Sequence, residues 1–304
     1  MIAIDLGSNT LRVLEYDCKN NRPTAQFEKI VKTADKLAAT GVIDHTAVDR
    51  VIYAIREAQE QMDFQGQEVV AVTTEAVRQA KNATEILARI TQETGVRFRI
   101  IGGDEEAQLT LLAVKERLRK LHHASDSFVL VDIGGGSTEI IFHYPHETIS
   151  KSFPVGIVTI AQQYQDLEKI AKIVPREMLS MQMFCAEVYA TRRKVAAFVA
   201  TAGTPTTVAA MKLGQTYATY DASKINGTSL DKEELDLYLG KLLAMPFEER
   251  EILVGTGRSE LVAAGILIFK QLYTILEFGR CIVIDDGLRE GVALKACQQE
   301  GYTG

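Results

Sequence analysis

Two stretches of this chain follow one pattern, and that repeat restricts the fold more than any other feature. Ile4-Asp5-Leu6-Gly7-Ser8-Asn9-Thr10 and Val131-Asp132-Ile133-Gly134-Gly135-Gly136-Ser137-Thr138 each take an apolar run to an Asp and then turn through glycine and hydroxyl residues. Each then enters a meander. After the first, Leu11, Val13 and Leu14 read as a strand, Asn20-Asn21 as a turn, and Phe27, Ile30 and Val31 as a third strand. After the second, Ile140 to Tyr144 and Thr148 to Val155 are strands joined at Pro145-His146.

Between the first meander and the second copy the expected order is α-β-α-β-α. Val48, Val51, Ile52, Ile55 and Met62 share a helical face with Asp44 as N-cap. Val69 to Val72 is a buried strand. Asn82 with Glu85 reads as a capping box for a helix ending near Gly95. Val96 to Ile101 is a strand, and Glu105 to about Lys120 a helix. Later strands are expected at Val195–Thr201 and Cys281–Asp285, with Gln215 to Ser229 a surface insertion or loop. The polar stretch His122 to Ser127 marks a boundary. The expected domains are 1–123 and 124–304, with the C-terminal helix able to pack back on the first.

The repeated turn has a chemical logic. Glycine admits backbone angles and close approach that a side chain blocks. Successive N–H groups in such a turn can nest an anion, hydroxyls add donors, and the Asp can hold a divalent cation beside a phosphate. Two such hairpins would clamp a phosphate chain from both sides. Neither is a P-loop, since no Gly-Lys-Ser/Thr follows, and neither is a dinucleotide fingerprint, since a strand follows rather than a helix.

Composition narrows the class. A 304-residue chain, 46% hydrophobic and 24% charged, suits about two globular domains. A net charge of −6 argues against nucleic-acid and membrane partners. No uncharged apolar run has membrane-spanning length and no signal peptide is evident, so a cytoplasmic location is expected. Cys18, Cys185, Cys281 and Cys297 form no Cys-x-x-Cys pair and read as reduced thiols. His45, His122, His123, His143 and His146 show no ligand spacing and read as surface or loop residues.

The motifs resemble the exopolyphosphatase and guanosine pentaphosphate phosphohydrolase (Ppx/GppA) family of the acetate kinase, sugar kinase, heat-shock and actin superfamily. Asp5-Leu6-Gly7-Ser8-Asn9-Thr10-Leu11-Arg12, Thr73 to Arg78, Gly102-Gly103-Asp104-Glu105-Glu106-Ala107, Asp132 to Glu139, Ala202 to Thr207 and Asp286 to Gly291 carry the likeness. Arg258-Ser259-Glu260 departs conservatively from the family's Arg-Ala-Asp. The length is similar to the short two-domain form, so traits of the longer members' extra helical domains, processivity above all, do not carry over. The resemblance implies an α/β fold of two tandem ribonuclease H-like (actin-like) domains with a phosphate-binding cleft between them.

It also implies hydrolysis of terminal phosphoanhydride bonds, in inorganic polyphosphate, guanosine pentaphosphate (pppGpp), or both, by in-line attack of water with Mg²⁺ or another divalent cation. Glu106 is the expected catalytic carboxylate, with Glu105 as the alternative; neighbours on a helix point about 100° apart, so one of them faces inward. Arg78 is its catalytic partner. Gly7, Ser8, Asn9, Thr10, Arg12, Gly134, Gly135, Gly136, Ser137, Thr138, Gly203 and Thr204 are expected at the phosphates, and Asp132 and Glu139 at the metal. Arg289 is read as a structural link from the C-terminal helix to the second half. A homodimer is expected from the resemblance alone. The rival reading is a non-hydrolytic regulator that binds polyphosphate or guanosine phosphates.

Overall fold

The computed structural model describes residues 1–123 and 125–302, and it divides into two compact units. Unit 1 comprises Met1–Ala113 and Gly287–Gly304, and unit 2 Val114–Asp286. The division falls inside a helix rather than at the polar stretch, of which Ala124 lies outside the described residues.

Unit 1 contains β1 (Ile2–Leu6), β2 (Thr10–Asp17), β3 (Arg22–Ile30), α1 (Leu37–Thr40), α2 (His45–Gln61), β4 (Val69–Thr73), α3 (Glu75–Gln79), α4 (Ala83–Thr94) and β5 (Phe98–Ile100). Helix α5 (Gly103–Lys120) runs across the division. The sheet order is β3-β2-β1-β4-β5: an antiparallel meander followed by parallel strands. All five residues of β1 are buried, as a central strand covered on both faces requires. Ala3, Leu14 and Val72 pack with Leu109 and Ala113 of α5 and with residues 288–297, which fixes one side of the sheet.

Unit 2 repeats this plan. Its elements are β6 (Phe128–Ile133), β7 (Thr138–His143), β8 (Thr148–Phe153), α6 (Ile157–Tyr164), α7 (Leu167–Glu177), α8 (Leu179–Thr191), β9 (Ala197–Thr201), α9 (Gly203–Lys212), α10 (Ala222–Ile225), β10 (Thr228–Asp231), α11 (Lys232–Ala244), α12 (Phe247–Val254), α13 (Ser259–Leu276) and β11 (Arg280–Val283). The order β8-β7-β6-β9-β11 matches unit 1 strand for strand, and β10 adds an antiparallel edge beside β11. These are two actin-like domains. Helix α13 has the length and apolarity to cross a membrane, but 67% of it is buried in the core of unit 2, where Phe269 and Tyr273 pack edge-on to Phe198.

Helix α14 (Leu288–Gln299) belongs to unit 1. Four expectations change here. Arg289, expected as a link to the second half, donates to Glu290 (2.5 Å) and to Gln26 of β3 (3.1 Å), which ties α14 to the first unit. Cys18 and Cys297 form a disulfide across a separation of 279 residues, because α14 lies against β1 and β2; Cys185 and Cys281 are free and buried. Asn82 does not cap α4. Its side-chain amide instead bridges the backbone N–H and C=O of Ile43 (3.0 and 2.9 Å). The span Gln215 to Ser229 is not a plain loop, since it holds a 3₁₀ turn, α10 and the start of β10.

Candidate active site

The two glycine turns are built alike. In unit 1, Leu6 pairs with Leu11 and the N–H of Gly7 donates to the carbonyl of Thr10 (3.0 Å). In unit 2, Ile133 pairs with Thr138 and the N–H of Gly134 donates to the carbonyl of Ser137 (2.9 Å). A Cβ on Gly134 would lie 3.0 Å from that carbonyl, so the turn is tight and a side chain there would require the carbonyl to give way. The first turn is held from outside: the carbonyl of Asn9 accepts from Val31 and Lys32, and that of Ser8 from Ala34. The second is held by the start of α6, where Ile157 donates to Gly134 and Val158 to Gly135. Ser8 and Ser137 are buried, and Asn9 and Thr10 partly so; Asn9 Nδ2 reaches Thr10 Oγ1 at 3.5 Å.

Several of the expected phosphate contacts also have partners within their own unit. Arg12 pairs with Glu28 on β3 (3.2 Å). Thr138 donates its hydroxyl to the carbonyl of Val155 (2.7 Å), which fastens β7 to the segment after β8. Thr204 is buried against α13, where a Cβ on Gly265 would lie 2.1 Å from its Oγ1, so its side chain seats α9 on α13. Gly203 opens α9 after Ala202, which sits at φ 74°, and the Nη2 of Arg258 lies 3.2 Å from where a Gly203 Cβ would be. Arg258 also donates to Thr207 (3.3 Å) and stacks over Tyr217.

Unit 1 brings Arg78 and Glu106 together. Glu106 lies in the first turn of α5, only 8% exposed, and its Oε2 is 3.9 Å from Arg78 Nη1. A carboxylate so buried is costly without a cation beside it. Glu105, its neighbour, turns outward and takes a two-pronged hydrogen bond from Arg99 (2.7 Å on each oxygen), which holds its carboxyl below the ordinary glutamate range. The helical offset between adjacent residues therefore separates the two glutamates: Glu106 faces Arg78 and Glu105 faces solvent.

In unit 2, Asp132 and Glu139 are register partners on β6 and β7, and both are buried. Oε1 of Glu139 accepts from Ser137 (2.8 Å) and from Ser152 of β8 (2.6 Å). Among the described residues no group of three or more His, Cys, Asp or Glu side chains is placed to cage a metal. Two carboxylates on adjacent strands suit Mg²⁺, which keeps water and substrate oxygens in the rest of its shell.

The Ppx/GppA phosphatase family model matches residues 21–300. The chain belongs to that family. Exopolyphosphatase 1 of Mycobacterium leprae is 26% identical over 98% of this chain and 89% of its own length. The Ppx/GppA family member of Aquifex aeolicus, known from a crystal structure, is 29% identical, with a TM-score of 0.74 over 99% of this chain and 98% of that one. An exopolyphosphatase structure from Cytophaga hutchinsonii shares the fold at TM-score 0.83, with 21% identity and coverage of 98% and 97%.

In this Ppx/GppA chain, four side chains were given no role by the motif reading, although Thr73 and Glu75 lie within a quoted motif. Ser152 holds Glu139 from the neighbouring strand. Thr73 donates to the carbonyl of Leu6 (2.8 Å), joining β4 to the first turn. Glu75 takes hydrogen bonds from Arg78 and Gln79. Arg117 of α5 donates twice to Asp286 (2.5 and 3.0 Å). The strand alternation could have placed Ser152 opposite Glu139; nothing local signals the Arg117–Asp286 pair.

Proposed function

We propose that this chain is an exopolyphosphatase, hydrolysing the terminal phosphoanhydride bond of inorganic polyphosphate. The observation that carries the reading is the juxtaposition of Glu106 and Arg78 in unit 1, a buried base beside a phosphate-seeking cation. Membership of a phosphatase family supports it, and so does a Mycobacterium leprae relative that is itself an exopolyphosphatase.

The chemistry follows from these groups. A water oxygen attacks the terminal phosphorus while the bridging P–O bond breaks. Glu106 accepts the proton of that water. Arg78 offers guanidinium N–H groups to the terminal non-bridging oxygens, where charge must be neutralised. Orthophosphate leaves, and the chain is one phosphate shorter. The backbone N–H groups of the glycine turns bind phosphate oxygens. Asp132 and Glu139 are the residues that would hold a divalent cation, which when bound supplies neutralisation of phosphate charge. The terminal phosphoanhydride of guanosine pentaphosphate presents the same reacting group, and we propose it as a second substrate.

The test is phosphate release with Mg²⁺ from polyphosphate and guanosine pentaphosphate in parallel, for the wild type and Glu106→Gln. Turnover by the wild type, lost in a variant that still binds, is expected. Tight binding of both ligands by the wild type without any phosphate release would overturn the enzyme and leave a ligand-binding regulator.

A further inference from the structure

Helix α3 is five residues long, yet three of them form one polar chain. Gln79 Nε2 donates to Oε1 of Glu75, and Arg78 Nη2 donates to Oε2. Arg78 Nη1 donates to the carbonyl of Ile101 (2.6 Å) and lies 3.9 Å from Oε2 of Glu106. The guanidinium is thus pinned at two nitrogens, by a carboxylate on its own helix and by a backbone carbonyl next to the start of α5. Guanidinium carries five N–H donors, and these two bonds use two of them. The helix itself is anchored: Ala76 and Val77 are buried, Thr74 is buried, and Thr73 just before it is bonded to Leu6.

We infer that Glu75 is a positioning residue for the phosphatase reaction, fixing Arg78 in the orientation that sets its guanidinium against Glu106 and leaves its remaining donors for the terminal phosphate. The inference rests on the roles proposed above for Arg78 and Glu106. An arginine side chain loses much rotamer freedom when it is ordered. Glu75 and Ile101 impose that order before substrate arrives, so the cost is not drawn from phosphate binding. Gln79 contributes by fixing the second oxygen of Glu75. A first-turn glutamate also suits a helix macrodipole; that role requires its charge, whereas the positioning role requires an acceptor oxygen at this place. The two roles therefore separate on substitution.

The experiment measures kcat and KM for phosphate release from polyphosphate in Mg²⁺, with thermal melting, for the wild type, Glu75→Ala, Glu75→Gln, Arg78→Ala and Glu75→Ala/Arg78→Ala. Glu75→Ala is expected to lower kcat about tenfold, more than it raises KM, as loss of orientation does. Glu75→Gln keeps an acceptor and should recover most of the loss. In the Arg78→Ala background, removing Glu75 should cost nothing further. Loss in Arg78→Ala together with wild-type turnover in Glu75→Ala would overturn this inference alone. So would a Glu75→Ala loss that persists without Arg78, or one that Glu75→Gln does not relieve. Wild-type turnover in Arg78→Ala would overturn both the inference and the reading beneath it.

Discussion

Asp132 and Glu139 stand directly opposite one another on β6 and β7, the register position that Asp5 and Arg12 occupy on β1 and β2. One backbone device is thus used twice with opposite electrostatics. Unit 1 places a cation across from its Asp, and unit 2 a second carboxylate. Like charges directly opposed on a sheet repel, unless a positive charge is shared between them.

Removing one of these carboxylates should therefore weaken the response to metal more than it weakens the fold. Glu139→Gln is expected to shift the Mg²⁺ concentration for half-maximal phosphate release upward by about 10-fold or more. Ser152→Ala removes one of the two hydroxyl donors that orient Glu139 and leaves both carboxylates in place, so it should shift that concentration less. A Mg²⁺ titration of activity for both variants checks the order.

Glu105 should be dispensable where Glu106 is not. Its carboxyl is held below the ordinary range by Arg99, so its contribution to stability is present above the unfolded-state pKa and is lost as pH falls through the folded value. The pair is substantially exposed, so that contribution is about 0–1 kcal/mol. Glu105→Gln is expected to keep turnover within about twofold, with a small stability loss at neutral pH that vanishes in acid. Urea melts at pH 7 and pH 3 measure it.

Gly156 is a steric test of the second turn. A Cβ there would lie 2.4 Å from the carbonyl oxygen of Gly135, which is backbone and cannot swing aside. Gly156→Ala should destabilise the protein by about 1–3 kcal/mol and depress phosphate turnover together, because the turn and the start of α6 must part. Denaturant unfolding and kinetics on the same preparation test whether the two losses coincide.

How far the sequence foretold these details depended on distance along the chain. The meanders were legible because alternation and glycine turns are local signals, and Asp132 and Glu139 could be named from one motif. The Cys18–Cys297 bond was not, since nothing near either residue tells that α14 returns to β1 and β2. Asn82 misled for a related reason: its spacing to Glu85 fits a cap, but Ile43 offered both a donor and an acceptor. Thr138 and Thr204 were named from motif position, and what motif position does not tell is that the Thr138 hydroxyl donates to the carbonyl of Val155 and that Thr204 is buried where α9 meets α13.

The cysteines divide accordingly in their chemistry. Burial pushes the thiols of Cys185 and Cys281 up to about 12, so native protein should resist alkylation near pH 8 and release two thiols only on unfolding. Cys18→Ser, which removes the cross-link, should cost about 2–4 kcal/mol in a denaturant melt. A wild-type preparation that titrates as four thiols after unfolding without reductant would refute the pairing.

Because α14 follows all of unit 2 in chain order, unit 2 is an insertion within unit 1. During synthesis the first sheet emerges early but lacks a covering helix, the partner of Gln26 and the partner of Cys18 until the last turns are made. The inserted unit, continuous in sequence, has every segment it needs before then. Its folding on the ribosome should precede that of the unit whose strands were translated first.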